Sequence, residues 1–275
     1  MNMQRFRPLI LIAVAAIGAL IGPTSAHAVS NAEMEAQAAR EFAKIKASAP
    51  LTVNREIIDY VSCVANAVVS VLDPPYSDMS WEMAILETDQ INAFVMPGGK
   101  IVVYEGILRA AQNQDQLAAV IGHEIAHITA GHTKSKLLQG RGARIGISVA
   151  AVLLGGGSQG ATYTAQEALN QGAMLGILLP YKRSQETEAD EIGLEYMAKA
   201  GFDPRAAVPL WQQMAKETGD GPPEILSTHP SDEKRIDSLI SQWSKTLPLF
   251  NAAMEAGRNP NCVAPDLPER RSQSK

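Results

Sequence analysis

The residues with the clearest chemical potential in this chain are two histidines and a glutamate within the stretch Gly122–His127. On a helix, His123 and His127 lie one turn apart on a common face, so both imidazoles can reach one ion at the short distances that Zn(II) requires. Glu124 directly follows the first histidine, and its carboxylate can take a proton from a water beside that ion. The spacing therefore predicts one catalytic zinc ion per chain.

A buried helix must hold these three side chains in place. Apolar residues recur with a helical period through the same segment, namely Leu117, Val120, Ile121, Ile125 and Ile128. Two core histidines with satisfied hydrogen bonds are the alternative, but the adjacent glutamate favours the metal site. A catalytic zinc ion also needs a third protein ligand and one open position for water. Another part of the chain must supply that ligand.

His132 is the nearest candidate for the third ligand. If the helix continues past His127, His132 points well away from the ligand face, so we exclude it. The stretch Ser184–Asp190 opens another predicted helix and contains two glutamates. Glu188 shares its side of that helix with charged residues and is predicted to be solvated, whereas Glu186 lies on the inward side with small and apolar residues.

Glu186 is therefore the predicted third ligand. Its alternative role is a favourable negative charge at a helix N-terminus. Asp190 lies one turn further along the same inward face. There it is predicted to accept a hydrogen bond from the far nitrogen of a ligating imidazole and so to fix the tautomer of that ring.

The elements that must position this site are mostly helical. Helices are predicted over Asn31–Ala47, Asn54–Leu72, Asp115–Ala130, part of Arg141–Leu154, Ala165–Leu179, Ser184–Ala200, Pro204–Glu217 and Ser231–Leu247. Strands are predicted over Trp81–Glu87, Ala93–Met96 and Lys100–Tyr104, with a Pro-Gly-Gly turn between the last two. The predicted fold class is α+β, mostly helical, with one small mixed or antiparallel sheet.

Composition excludes some classes of partner. The chain has 275 residues with 24 basic and 29 acidic side chains and a formal net charge of -5. Because it also contains no long basic run, we predict no nucleic-acid partner. The apolar fraction of 46% suits one globular domain, which we place over residues 29–275. A glycine-rich stretch at 155–160 is interpreted as a loop rather than a dinucleotide site, because no βαβ pattern surrounds it.

The N-terminus resembles a targeting signal. Arg5 and Arg7 precede an apolar run over Leu9–Ile21, and small residues follow it. We predict a cleaved signal peptide over residues 1–28 and a periplasmic location; an uncleaved anchor is the alternative, but the run is shorter than the roughly 20 residues that a spanning helix needs. The two cysteines, Cys63 and Cys262, are predicted to form a disulfide in that oxidising compartment, with two separate buried thiols as the alternative.

Four ordered motifs resemble a known family. They are His-Glu-Ile-Ala-His at 123–127, Glu-Thr-Glu-Ala-Asp at 186–190, Asn-Ala-Phe at 92–94 with Pro-Gly-Gly at 97–99, and Ser-Thr-His-Pro at 227–230 with Arg235. The likeness, over roughly Trp81–Ile240, is to the gluzincin zinc metallopeptidases that include CAAX prenyl endopeptidase, HtpX, Oma and BepA. The resemblance implies a zincin-like domain whose small sheet edges the active-site cleft. It also assigns the third zinc ligand to Glu186.

The resemblance implies further site residues. Asn92, Ala93 and Phe94 are expected to line the cleft and bind an extended substrate backbone by strand addition, with an ordinary sheet strand as the alternative. His229 is expected near the metal, either in the open position at rest or as a stabiliser of the oxyanion, and Arg235 is expected to serve the same charge. A purely structural capping role is the alternative for both.

The combined expectation is a zinc endopeptidase of the bacterial cell envelope that degrades misfolded or unassembled exported proteins. The alternative is a chaperone-like or scaffolding zinc protein that binds unfolded chains with little or latent proteolysis. Unfolded or misfolded envelope proteins are the expected partners, and no specific oligomer is indicated. The apolar stretches at 145–154 and 173–179 are too short to span a bilayer but leave room for peripheral membrane contact.

Overall fold

The computed structural model describes residues 30–136, 180–216, 224–230 and 233–266. The helices are α1 (Asn31–Ser48), α2 (Arg55–Val69), α3 (Ile107–Ala110), α4 (Gln114–Thr129), α5 (Arg183–Lys199), α6 (Ala207–Lys216), α7 (Glu224–Thr228), α8 (Glu233–Ser241) and α9 (Trp243–Glu255). The strands are β1 (Glu82–Leu86), β2 (Ala93–Met96) and β3 (Lys100–Tyr104). The mostly helical α+β fold class is thereby confirmed.

Some predictions lie outside these described residues. They are the signal peptide over 1–28, the helices over 141–154 and 165–179, and the glycine-rich stretch at 155–160. The assignment of 29–275 to one domain stays a prediction. Among the described residues, no helix combines the length and apolar character needed to cross a membrane.

The sheet is mixed, with strand order β1-β3-β2. β1 pairs with β3 in parallel, and β2 pairs with β3 in antiparallel fashion. The β2–β3 turn is tight because Gly98 and Gly99 both have positive φ, a backbone conformation that residues with a Cβ rarely adopt. Because β3 is the middle strand, β2 is an edge strand of the sheet, and it packs against α4.

α4 is the central helix of the fold. Its N-terminus is capped by Asn113, whose side chain accepts a hydrogen bond from the Gln116 N–H, and every residue from Gln116 to His127 is buried. α2, β2, α5 and α6 all pack against it. The helix ends at Thr129, because the chain reverses through Gly131, whose φ of 72° is a left-handed conformation typical of the residue after a helix.

Two glycines let α4 and α5 cross at close range. A Cβ added to Gly193 would lie 2.8 Å from the His123 backbone nitrogen, and one added to Gly122 would lie 2.8 Å from the Gly193 carbonyl oxygen. These distances leave no room for a methyl group on either helix. The crossing brings the histidines of α4 and the carboxylates of α5 together.

Replacing Gly193 by alanine should therefore disturb both stability and the site. Since the new methyl group would meet backbone rather than a flexible side chain, we expect the free energy of unfolding to fall by about 1–3 kcal/mol. Urea denaturation measures this change. Thr187→Ala on the exposed side of the same helix is the matched control, with an expected change below about 0.5 kcal/mol. Equal stability of Gly193→Ala and wild type would contradict the close crossing.

The predicted helix over residues 231–247 is wrong in its extent. The structure has two helices there, α8 and α9, which are separated at Gln242, and α9 continues to Glu255. A tertiary contact lies at the break, where the Gln242 side chain donates a hydrogen bond to Glu191 of α5 at 2.9 Å. The apolar periodicity of the sequence does not predict this contact, because Gln242 and Glu191 belong to different elements.

A disulfide joins Cys63 of α2 to Cys262 in the C-terminal tail, as predicted. The bridge closes a loop with a sequence separation of 199 residues. The Cys262 N–H also donates a hydrogen bond to the side chain of Gln114 at the start of α4. The tail is thus fastened beside the N-terminus of the central helix.

Candidate metal centre

Four buried side chains converge on one point. His123 and His127 come from α4, Glu186 from the first turn of α5, and His229 from the residue that follows α7. None is more than 3% exposed. His229 is held by its own backbone, because its N–H donates to the Ile225 carbonyl at 2.8 Å and so closes the last turn of α7.

Five distances between their polar atoms are close to the edges of a zinc tetrahedron. His123 Nε2 lies 3.1 Å from both His127 Nε2 and His229 Nδ1. The Glu186 carboxylate oxygens lie 3.5 Å from His123 Nε2, 3.4 Å from His127 Nε2 and 3.1 Å from His229 Nδ1. Ligand atoms held tetrahedrally at zinc bond lengths of 2.0–2.1 Å are about 3.3–3.4 Å apart. These residues therefore fit a zinc ion.

The electrostatics of the cluster also call for a cation. Burial opposes ionisation of Glu186, yet the surrounding histidines hold the pKa of its carboxyl far below the usual range. Burial likewise opposes a charge on His123, but Asp190 and Glu186 outweigh it and raise the pKa of His123 to about 9. Burial lowers the pKa of His127. Asp190 and Glu186 thus favour a positive charge beside His123, and a bound metal ion carries such a charge.

Asp190 and Arg235 contact the cluster from outside. Asp190 Oδ1 lies 2.9 Å from His123 Nδ1, where it can accept the proton of the non-ligating nitrogen. Arg235 binds Asp190 with two nitrogens, at 2.7 and 2.8 Å, and its Nη1 lies 3.1 Å from Glu186 Oε2. Its guanidinium is stacked 3.5 Å above the ring of Trp211. Arg235 therefore contacts two carboxylates of the site.

Glu124 faces the cluster from the same helix as the histidines. Glu124 is 3% exposed, and its Oε1 lies 3.2 Å from His229 Nε2 without making a hydrogen bond. A buried carboxylate oxygen without a donor is costly unless a ligand or water supplies one. This oxygen can therefore accept a hydrogen bond from a water beside the cluster, as a general base does.

His127 is enclosed by residues that sequence reasoning did not assign to the site. Tyr181 stacks on its ring with centroids 3.6 Å apart, and His132 Nδ1 lies 3.0 Å from His127 Nδ1. Thr133 Oγ1 lies 3.2 Å from the Tyr181 hydroxyl, and Lys136 Nζ lies 3.3 Å from the centre of the Tyr181 ring. Tyr181 lies just before α5, whereas His132, Thr133 and Lys136 follow the turn at residue 131.

Lys136 is unusual because it is only 4% exposed. Burial lowers the pKa of its ammonium group to about 7, although Glu124 and Glu186 favour the charged form. Burial also raises the pKa of the Tyr181 hydroxyl, which stays protonated at neutral pH. Tyr181 thus offers a neutral aromatic face to His127.

The three residues expected to bind substrate lie at the sheet edge. Ala93 and Phe94 begin β2, and Asn92 immediately precedes it. Asn92 is 4% exposed, and its side-chain oxygen accepts a hydrogen bond from the Ala93 N–H at 2.9 Å. Ile91 is joined to α7, because its carbonyl accepts from the Ile225 N–H. The strand therefore connects α4 with the element that carries His229.

The sequence assumption that failed concerns His132. It would point away on a continued helix, but the helix ends and the chain reverses through Gly131, so His132 packs back against His127. Glu188 is 58% exposed as expected for a solvated position, yet its Oε2 contacts His132 Nε2 at 3.0 Å. The glycine four residues after His127 is the signal that could have indicated the reversal.

Comparison with known protein families shows to which family the chain belongs. Residues 57–242 match the model of peptidase family M48. The chain belongs to peptidase family M48. The match runs from α2 to the break between α8 and α9 and contains every residue of the four-residue cluster. The predicted metallopeptidase class is confirmed at the level of the family.

Similar proteins occur in mitochondria and in bacteria. Mitochondrial metalloendopeptidase OMA1 of Schizosaccharomyces pombe is 40% identical over 186 residues, which cover 67% of this chain and 52% of that protein. OMA1 of Saccharomyces cerevisiae is 34% identical over 211 residues, covering 70% and 57%. The beta-barrel assembly-enhancing protease of Escherichia coli K12 is 28% identical over 238 residues, covering 84% and 48%. The chain thus spans roughly half the length of these relatives.

The expected periplasmic location is wrong. The relatives from S. pombe, Arabidopsis thaliana, S. cerevisiae and Bos taurus are mitochondrial proteins, and they include those with the higher identity to this chain. The prediction rested on basic residues before an apolar run. Basic residues also occur in transit peptides of organelles, so this pattern does not specify one compartment.

Proposed function

We propose that this chain is a zinc-dependent endopeptidase in which His123, His127 and Glu186 hold one zinc ion. The observation that carries the proposal is the convergence of imidazole nitrogens and a carboxylate at tetrahedral spacing beside the unsatisfied Glu124 oxygen. When bound, the ion supplies a Lewis acid that polarises a scissile carbonyl and lowers the pKa of a water. The protein residues do the rest of the chemistry.

Glu124 takes the proton of the attacking water and returns it to the leaving amine. Asp190 orients His123 through Nδ1, and Arg235 holds Asp190 and Glu186 in place. His229 Nδ1 is the fourth member of the cluster and, at rest, occupies the position that a water would otherwise take. Once substrate displaces it, the neighbouring imidazole and the Arg235 charge can stabilise the negative charge that develops on the carbonyl oxygen.

Misfolded or unassembled proteins are the substrates we propose. β2 is a sheet edge that packs against α4, and an extended chain added to such an edge is bound through its backbone, whatever its side chains. This mode of binding selects for segments that are unfolded rather than for one sequence. Protein quality control is the role that such selectivity serves.

A latent or chaperone-like protein is the second candidate, and the position of His229 favours it. His229 Nδ1 lies 3.1 Å from both His123 Nε2 and Glu186 Oε1, so it fills the corner that a water needs. A protein held in this state would bind unfolded chains with little cleavage. The two candidates differ in cells: removal of zinc and Glu124→Gln should abolish the same function if the protein is a protease. A cellular function that is lost on removal of zinc but retained in Glu124→Gln indicates that the protein acts by holding unfolded chains.

Reversible loss of activity with the metal tests the protease proposal. We expect the purified chain to contain one zinc ion and to cleave an unfolded substrate such as reduced, carboxymethylated casein. Dialysis against a zinc chelator should abolish cleavage, and addition of one equivalent of zinc should restore it, because the ligands are preformed. Cleavage that persists in metal-free protein would overturn the proposal.

A further inference from the structure

A chain of three side chains leads outward from the metal centre. His127 Nδ1 lies 3.0 Å from His132 Nδ1, and His132 Nε2 lies 3.0 Å from Glu188 Oε2. His132 is 4% exposed, whereas the Glu188 side chain is 58% exposed. The series therefore begins at a buried ligand, passes through a buried imidazole and ends at a carboxylate in solvent.

The hydrogen-bond chemistry permits one arrangement of protons that leaves both imidazoles neutral. An ionised carboxylate only accepts hydrogen bonds, so His132 Nε2 must carry the proton that it donates to Glu188. His132 Nδ1 is then unprotonated and can only accept, which requires the proton of His127 to be on Nδ1. The Nε2 lone pair of His127 consequently points into the cluster, in the tautomer that a metal ligand needs.

Both histidines of α4 thus have a hydrogen-bond acceptor at their far ring nitrogen. Asp190 is the acceptor for His123, and His132 is the acceptor for His127. For His123, the carboxylate oxygen lies 2.9 Å from Nδ1 in a fully buried setting. For His127, the acceptor is a neutral imidazole whose own orientation is fixed by a carboxylate at the surface. An acceptor on the far nitrogen raises the basicity of a ligating imidazole and holds its ring in register with the ion.

We propose that His132 is a positioning residue for the zinc centre, and that Glu188 acts only through it. The inference rests on the proposed zinc site. His132 lies close enough to the cluster to influence it, yet its contact is with the non-ligating nitrogen of His127 rather than with the metal position. Its role is to set the tautomer and orientation of His127, and hence the affinity for zinc.

Zinc affinity of the full chain, measured by competition with a chromophoric chelator, tests the proposal. His132→Leu removes the acceptor and should raise the zinc Kd by about 10- to 100-fold. His132→Asn keeps an acceptor oxygen at the position of Nδ1 and should recover most of that loss. Glu188→Ala should raise the Kd by about tenfold. Glu195→Ala, at a half-exposed position of α5, is the matched control and should leave the Kd unchanged.

The zinc affinity of the double variant shows whether Glu188 acts through His132 or independently of it. If Glu188 acts through His132, then His132→Leu with Glu188→Ala should bind zinc no more weakly than His132→Leu alone. Multiplied effects in the double variant would overturn the proposal, as would equal losses in His132→Asn and His132→Leu, which would indicate packing. Because Glu188 is exposed, its variant should retain the unfolding temperature of the metal-free wild type.

The same titration distinguishes this inference from the proposed function. Tight zinc binding by wild type together with unchanged binding by all of these variants would overturn the positioning role alone. Failure of wild type to bind zinc would overturn both. Weakened binding in His132→Leu and Glu188→Ala, with recovery in His132→Asn, is the result that we expect.

Discussion

Glu124→Gln should retain zinc and lose proteolysis, with kcat falling by about 10²- to 10⁴-fold. Glutamine preserves the shape of the side chain, but its amide cannot take a proton from water at neutral pH. The zinc content should not change, because Glu124 is not one of the four residues of the cluster. The measurement combines zinc content by mass spectrometry with single-turnover cleavage of an unfolded substrate.

The control for this variant is Glu195→Gln, which makes the same chemical change at a half-exposed position on α5. It should cleave at the wild-type rate. Wild-type cleavage by Glu124→Gln itself would show that another group activates the water. Because the variant should bind substrate without consuming it, it is also the form with which to trap and identify cellular substrates.

Glu186→Gln should lose the metal itself. A neutral amide removes the only carboxylate of the four-residue cluster, and the histidine ligands then face the ion without a compensating negative charge. Arg235 Nη1, 3.1 Å from Glu186 Oε2, would add repulsion once that charge is gone. We expect the zinc content to fall from one per chain to well below it after dialysis, with loss of cleavage in proportion.

Comparison with Glu188→Gln tests the assignment of the third ligand. Both glutamates lie in the first half of α5, but Glu186 is 3% exposed and the Glu188 side chain is 58% exposed. Glu188→Gln keeps an oxygen that can accept the hydrogen bond from His132 Nε2, so it should keep its zinc through the same dialysis. Loss of zinc from Glu188→Gln with retention in Glu186→Gln would reverse the assignment.

Local spacing determined the chemistry that could be predicted from the sequence. The spacing of His123 and His127 and the separation of Glu186 from Glu188 by helical face depend on the 3.6-residue period, which is a property of the backbone. The strands Ala93–Met96 and Lys100–Tyr104 were predicted with the same bounds that the structure has, because a glycine turn marks their ends. The family motifs then identified a metallopeptidase.

The remaining features depend on contacts between distant parts of the chain. The Gly122–Gly193 crossing sets how closely α4 and α5 approach, and Gln242, between α8 and α9, pairs with Glu191 of α5. His132 contacts His127 because the chain turns at Gly131, and the apolar periodicity of the sequence does not predict that turn. Such features arise from packing between elements, whereas sequence periodicity describes each element alone. The sequence thus indicated the candidate metal-binding residues, and the tertiary structure added His132, which contacts one of them.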